Sequence, residues 1–314
     1  YYEDNRHKIP HRTRTDAPPG DDFSTWDPAT ILSEIDSSFS SALGHCDTLK
    51  ATPISDWMEM IDPGTVPTRY RPTLYDLLAH EALSFYQIAN NHREEIRFLD
   101  NLNKGLPTSE GALTIQPEDP IFAPANEFMA WKPETTDPQS PTLKAIQLFQ
   151  DLLSFHASDT DASAFFDADL ARIEFGENAS TQNIDDPDYR IALQHLIEAS
   201  IHHEFSSFAR ATLAKHISSL KPDEAHAIAT AGFKAFPESE GGIDCYNLIQ
   251  QLEAPKLKMT HQQTWNSSTE PIQVEFRNLS QIHFRLVELS SEEFPSLSPN
   301  RLWEEALEKF LVQT

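Results

Sequence analysis

Apolar residues recur once per helical turn along most of this chain and then, after Pro255, at every second position. A helix turns once in about 3.6 residues, whereas successive strand side chains point to opposite faces, so this single change of period divides the chain into a helical body and a sheet-forming tail. Before the change, Asp27-Pro28 places a capping residue ahead of a proline at the first helical position, and Ile31, Leu32, Ile35, Phe39, Ala42 and Leu43 follow. The pattern predicts a helix over 28–43, stopped by Gly44. Ile54, Trp57, Met58 and Ile61 predict a short helix closed by the turn sequence Asp62-Pro63-Gly64. Arg71-Pro72-Thr73 opens a helix carrying Leu74, Leu77, Leu78, Leu83, Phe85 and Ile88 on an apolar surface wider than one stripe, as a core helix requires.

From 90 to 141 the period weakens and Pro107, Pro117, Pro120, Pro124, Pro133 and Pro138 interrupt it, which predicts an irregular crossing segment that packs Phe122, Phe128 and Trp131 onto the helices. Helices are then expected near 142–157, 160–176, 186–202, 206–219, 223–235 and 239–253, separated by Asp159-Thr160-Asp161, Asp186-Pro187, Pro222-Asp223 and Pro237-Glu238-Ser239. Paired helices of this length, with alanine at many contact positions, suggest antiparallel hairpins stacked in the tetratricopeptide-like manner. No clean repeat of about 34 residues is present, so the stack is expected to be irregular.

Beyond Pro255, Leu257 and Met259, then Ile272, Val274 and Phe276, then Ile282, Phe284, Leu286 and Leu289 alternate with polar residues and predict strands of an antiparallel sheet with one buried face. Residues 277–281 would link the last two strands, and an amphipathic helix is expected over 300–311. Two or three strands with open edges do not make a stable sandwich, so either they lean on the helical part or, as is favoured here, the remainder of that module lies beyond Thr314. The fold class is therefore mainly α: an irregular stack of antiparallel helix pairs followed by a short, incomplete antiparallel β module. The organisation expected is an extended polar leader over 1–25, a helical domain over 26–254, and a β module with a terminal helix over 255–314.

Composition narrows the function. With 39% hydrophobic and 23% charged residues the chain of 314 residues is an ordinary globular mixture, and 9 glycines against 22 prolines suit helices joined by proline-bearing links. A net charge of -25 argues against a nucleic-acid partner, because phosphate backbones are held by clusters of Lys and Arg. One stretch runs the other way: Arg6, Lys8, Arg12 and Arg14 outnumber Glu3 and Asp4, and are read as a solvated arm lying against the acidic body. Cys46 and Cys245 cannot build a disulfide framework or a Cys-based zinc site and are read as two buried thiols. No apolar run reaches the roughly 18 residues that span a bilayer, and with neither an initiator Met nor a signal peptide the chain is expected to be a processed or engineered piece.

The run Arg71-Pro72-Thr73-Leu74-Tyr75-Asp76-Leu77-Leu78-Ala79-His80, with Trp26-Asp27 upstream, resembles the N-terminal helical region of large bacterial alpha-2-macroglobulin-like proteins. A second match runs from Phe236-Pro237-Glu238-Ser239-Glu240-Gly241-Gly242 through Leu252 to Pro255, and on to the strand Val274-Glu275-Phe276-Arg277-Asn278-Leu279. The resemblance implies a last helical hairpin passing into a first macroglobulin-type β-sandwich, whose early strand carries a pair like Arg277-Asn278. It also implies a periplasmic, cell-surface or secreted setting and a role in protease trapping, with the rest of the parent polypeptide, proteases and an envelope protein or peptide as partners. Many members carry a thioester in a Cys-Gly/Leu-Glu-Gln run. Here Cys46 precedes Asp47-Thr48 and Cys245 precedes Tyr246-Asn247, so trapping chemistry is expected outside this segment.

Several ionisable groupings invite a chemical reading. His80-Glu81 begins like a zinc-protease helix, but position 84 is Ser where the second histidine would stand. His195, Glu198 and His202 share a helix face and, with His203 and Glu204 beside them, offer a metal-site reading; the simpler one has His202 and His203 at a helix C-terminus, where the dipole favours them, and Glu204 in solvent. Asp159 and Asp161 fit helix-start chemistry, and the carboxylate-rich run that continues to Asp167 and Asp169 lacks the glycine of a calcium loop. Tyr75, Asp76 and His80 have no accompanying nucleophile and, lying inside the family-like run, are read as a buried polar lock holding the N-terminal helices. No nucleophile elbow or phosphate-cradling glycine loop is present, so no enzyme activity and no catalytic, cofactor-binding or metal-binding residue is expected. The structural motif rests on Arg71, Pro72, Thr73, Tyr75, Asp76, His80, Arg277 and Asn278. A stand-alone helical-repeat module binding a peptide or protein is the rival expectation, and a hydrolase the remoter one.

Overall fold

The computed structural model describes residues 20, 22–61, 66–87, 113, 115, 116, 118–179, 187–260 and 273–284. The chain divides into two compact units, Tyr1–Leu252 and Glu253–Thr314. The described part is mainly helical with a small two-stranded antiparallel sheet.

In the first unit, α1 (Pro28–Leu43) begins where Asp27 accepts a hydrogen bond from the Thr30 amide, with proline in its first turn, and ends at Gly44. A short α2 (Cys46–Lys50) and a 3₁₀ turn (Ile54–Trp57) follow, the latter tighter and shorter than the helix expected through Ile61. Helix α3 is described over 74–87. The crossing segment is not wholly irregular: α4 (Ala125–Ala130) lies inside it, started by Pro124, and Gln150 donates to the carbonyls of Phe128 and Trp131 at 2.9 and 2.8 Å. Then come α5 (Pro141–His156), α6 (Ser163–Ala179), α7 (Pro187–Ala199), α8 (Phe205–Ile217), α9 (Pro222–Ala235) and α10 (Glu240–Glu253). Each of α5 to α9 packs on its neighbour in sequence, as in a stack of hairpins.

Two apolar clusters fill this unit, and α6 serves both. Tyr75, Leu83, Phe128, Phe149 and Leu152 gather with Phe175 in one; Tyr70, Leu193, Phe205, Leu213 and Cys245 gather with Leu170 and Ile173 in the other. Burial on opposite sides makes α6, rather than α3 alone, a central helix of the unit. Cys46 is only partly buried, so the reading of two buried thiols holds for Cys245 alone.

In the second unit, β1 (Lys256–Thr260) pairs antiparallel with β2 (Gln273–Arg277). Leu257 faces Phe276 and Met259 faces Val274 on one side of the ribbon, while Lys258 and Glu275 pair at 3.7 Å on the other. The apolar side is open among the described residues: Leu257, Met259 and Phe276 are 47%, 45% and 60% exposed. Residues 281–284 form no strand: alternation makes a ladder only where a neighbour accepts its hydrogen bonds, and none among the described residues pairs with them. The expected strand residues 285–289 and helix 300–311 lie outside the described residues, as do residues 1–19 of the leader, of which Phe23–Thr25 forms a 3₁₀ turn.

Candidate functional site

The run 71–80 sits at a joint between helices. Ahead of α3, the Ile54 amide donates to the Pro72 carbonyl at 2.8 Å and the Leu74 amide to the Thr52 carbonyl at 3.0 Å, a one-bridge ladder that fixes the entry to the helix. Thr73 and Asp76 then form a reciprocal cap: Asp76 Oδ2 accepts from the Thr73 amide and hydroxyl, each at 2.8 Å, and Thr73 Oγ1 accepts from the Asp76 amide at 3.3 Å. The other oxygen of the same carboxylate, Asp76 Oδ1, lies 2.7 Å from His156 Nε2 at the end of α5. His156 Nδ1 lies 2.7 Å from Asp159 Oδ2.

Both ring nitrogens of His156 therefore face carboxylates. Burial alone would strip the ring of its proton, but the hydrogen bonds and charges of Asp76 and Asp159 outweigh it and raise the pKa above the ordinary histidine value. His80, one turn along α3 from Asp76, behaves in the opposite way. Its Nε2 is 3.5 Å from Asp167 Oδ2 on α6, yet burial, with Arg71 and His156 adding positive charge nearby, lowers its pKa to about 3 and keeps the ring neutral. That contact is polar packing rather than an ion pair. Asp167 takes its charge partner from Arg71, whose Nε donates to it at 3.1 Å, although burial still raises the Asp167 pKa.

Tyr75 completes the joint. Its hydroxyl donates to Asp151 on α5 at 3.1 Å, its ring meets Phe155 edge-on, and Lys50 lies 4.5 Å over its face. Of the motif residues, Tyr75 and Asp76 thus reach α5 and Arg71 and His80 reach α6, while Thr73 caps α3 through Asp76; Asp76 and His80 meet different helices rather than each other. Arg277 and Asn278 lie in the second unit: Arg277 is opposite Lys256 at the end of the ladder, and Asn278 takes a left-handed backbone with φ 56° while its side-chain Nδ2 donates to the Ala254 carbonyl at 3.3 Å.

The remaining groupings settle into local roles. Asp161 caps α6 through the Ser163 amide at 2.9 Å, but Asp159 holds His156 instead of starting a helix. Helix α7 ends at Ala199, and His203 caps the next helix by accepting from the Phe205 amide at 3.1 Å. Glu204 is not in solvent alone: it bonds Arg69 and accepts from the Tyr70 hydroxyl at 3.4 Å. His195, Glu198 and His202 are exposed, and among the described residues no three His, Cys, Asp or Glu side chains form a metal-ligand group.

Two features escaped the sequence reading. Arg172 is 1% exposed; it pairs with Asp169, donates to the carbonyls of Ile121 and Ala123, and lies 4.8 Å over the Phe128 ring. The i,i+3 spacing of Asp169 and Arg172 is the one signal that could have flagged it. Beside α6, two hollows of about 500 and about 590 Å³ share Arg71, Ala171 and Glu174. His80, Phe149 and Tyr189 wall the first; Tyr70, Leu170 and Phe208 wall the second. Nothing in the spacing of Glu174 distinguishes it from an ordinary solvated helix charge.

No helix among the described residues is long and apolar enough to cross a membrane. No protein-family model matches the chain, and neither curated proteins nor solved structures give a match.

Proposed function

We propose that this chain is a non-catalytic helical scaffold and interaction segment of a larger alpha-2-macroglobulin-like, protease-trapping protein of the bacterial envelope. The observation that carries this reading is the β1–β2 ribbon, whose Leu257–Phe276 and Met259–Val274 pairs form an apolar side with Phe276 60% exposed. A two-stranded ribbon is marginal alone, and an apolar side of this kind is what one half of a sandwich offers to the other. The family-like residues support the same reading from the helical unit. Asp76 is bonded to Thr73 and His156, His156 also to Asp159, and Arg71 to Asp167, so the work of these residues is to hold α3, α5 and α6 together. Trapping of a protease would fall to parts of the parent outside this segment, and the segment's own partners would be the rest of that polypeptide and an envelope protein or peptide.

The test is to express the complete reading frame that contains this chain and challenge it with a protease such as trypsin. The expected result is that trypsin keeps its activity on a small chromogenic substrate but loses it on casein, and that deleting residues 1–252 abolishes this protection. A complete protein that leaves casein digestion unchanged would overturn the proposal.

A stand-alone helical-repeat binding module is the second reading, and the hollows beside α6 favour it, since helical stacks present ligands with a concave side-chain surface.

A further inference from the structure

The larger hollow combines two kinds of lining that one class of ligand satisfies together. Tyr70, Leu170, Phe208 and Ile243 give it apolar walls, and Ile243 is left 49% exposed. Glu174, Glu240 and Asp244 line the same space, in addition to Asp167, which is committed to Arg71. Among the described residues none of these three carboxylates forms an ion pair. Glu174 is reached by solvent, yet the protein around it, with Asp167 adding negative charge, outweighs the opposing charge of Lys215 and raises its pKa. A cation arriving there would meet a solvent-reached carboxylate that no ion pair among the described residues already holds.

The volume, about 590 Å³, falls within the roughly 300–1,000 Å³ of sites that enclose small ligands or a few residues of peptide. Lysine and arginine are the side chains that carry an apolar stem and a cationic head on one flexible arm. The chain's net charge of -25 adds a long-range field that draws such a segment in.

We propose that the hollow bounded by Tyr70, Leu170, Phe208 and Ile243 docks a Lys- or Arg-bearing segment of a partner protein, its cationic head meeting Glu174, Glu240 and Asp244. This deepens the reading of the chain as an interaction segment and rests on it.

The test uses the whole chain and a short fluorescent peptide of alanine and leucine with one central arginine, alongside the same peptide with norleucine in that place. Binding is read by fluorescence anisotropy at low and moderate salt. The arginine peptide is expected to bind, more weakly as salt rises, and about tenfold more tightly than the norleucine peptide. Glu174→Gln, at an exposed position where folding is checked by circular dichroism, is expected to remove most of that difference. Ile243→Ser is expected to weaken both peptides alike. Equal binding of the two peptides, no binding of either, or an unchanged preference in Glu174→Gln overturns the proposal. So does tight binding that emerges only when residues 1–19 are removed, which would assign the hollow to the chain's own basic leader. Failure here leaves the scaffold reading standing if deletion of 1–252 still abolishes trapping, so the two failures are told apart.

Discussion

Asp76 and His156 stand 80 positions apart in sequence and 2.7 Å apart in the fold, with side chains 1% and 2% exposed. The same carboxylate starts α3 through Thr73, so a single side chain joins the initiation of one helix to the end of another. Asp76→Ala would leave the Thr73 amide uncapped and a buried imidazolium short of a partner. The expected loss is on the order of 3–5 kcal/mol, read as a lowered urea midpoint and melting temperature. Unchanged melting would remove the lock.

The two histidines of this joint are expected to titrate stability in opposite directions. His156 holds its proton more firmly in the fold than in the unfolded chain, where the ordinary value is 6.5. Its contribution is therefore complete below 6.5 and lost as pH rises through the higher folded value. His80 is held neutral down to about 3, so as pH falls from 6.5 toward 3 the unfolded chain takes up a proton that the fold refuses, and stability drains away. Urea midpoints across pH for the parent chain, His156→Gln and His80→Gln separate the two. The parent's advantage over His156→Gln should shrink above pH 6.5, and its standing against His80→Gln should worsen below it. A pH-independent gap in either series would refute that assignment.

Arg172 is the largest fully buried side chain among the described residues, and it is charged. Arg172→Ala would strand Asp169 and two carbonyls at Ile121 and Ala123 in the interior, at an expected cost on the order of 3–5 kcal/mol. Arg172→Lys should recover little of this, because a single ammonium lacks the planar fork that reaches both partners at once. Chemical denaturation of the two variants checks the claim; a lysine variant as stable as the parent would sink it.

Helix α10 approaches α8 through a glycine. A Cβ at Gly241 would collide with the Phe208 amide nitrogen, and that neighbour is backbone, which cannot swing aside. Gly241→Ala should therefore push the helices apart and destabilise by about 1–3 kcal/mol, despite alanine's better helix propensity. Gly20→Ala, with nothing within 4 Å of the new carbon, is the control expected to leave melting in place.

What the sequence made legible is what local chemistry decides. Helix α1 ends where Asp27, Pro28 and Gly44 say it should, and α5 to α10 begin and end within a few residues of their proline and aspartate punctuation, because caps and stops act over one turn. The mainly helical class with a small antiparallel sheet follows from the change of period at Pro255. Partnership was not legible in the same way. Asp76 and His80 share a helix face and invite pairing, but His156 takes Asp76 because α5 delivers its last residue there. The same limit hid α4 among prolines, gave residues 282–284 a strand's alternation without a strand, and left Glu174 looking like any other surface charge.

Cys245 is wholly enclosed, with its sulfur donating to the Ser207 carbonyl at 3.3 Å and sitting where any side chain on Gly232 would collide with it. Burial, with Asp244 adding to it, pushes the thiol up to about 11, so in the folded chain it is neither reachable nor ionised at neutral pH. Cys46 is partly open. A maleimide dye added to native protein should therefore attach at Cys46 first, and the second label should enter only as fast as α8, α9 and α10 part from one another, giving a built-in clock for the opening of that seam.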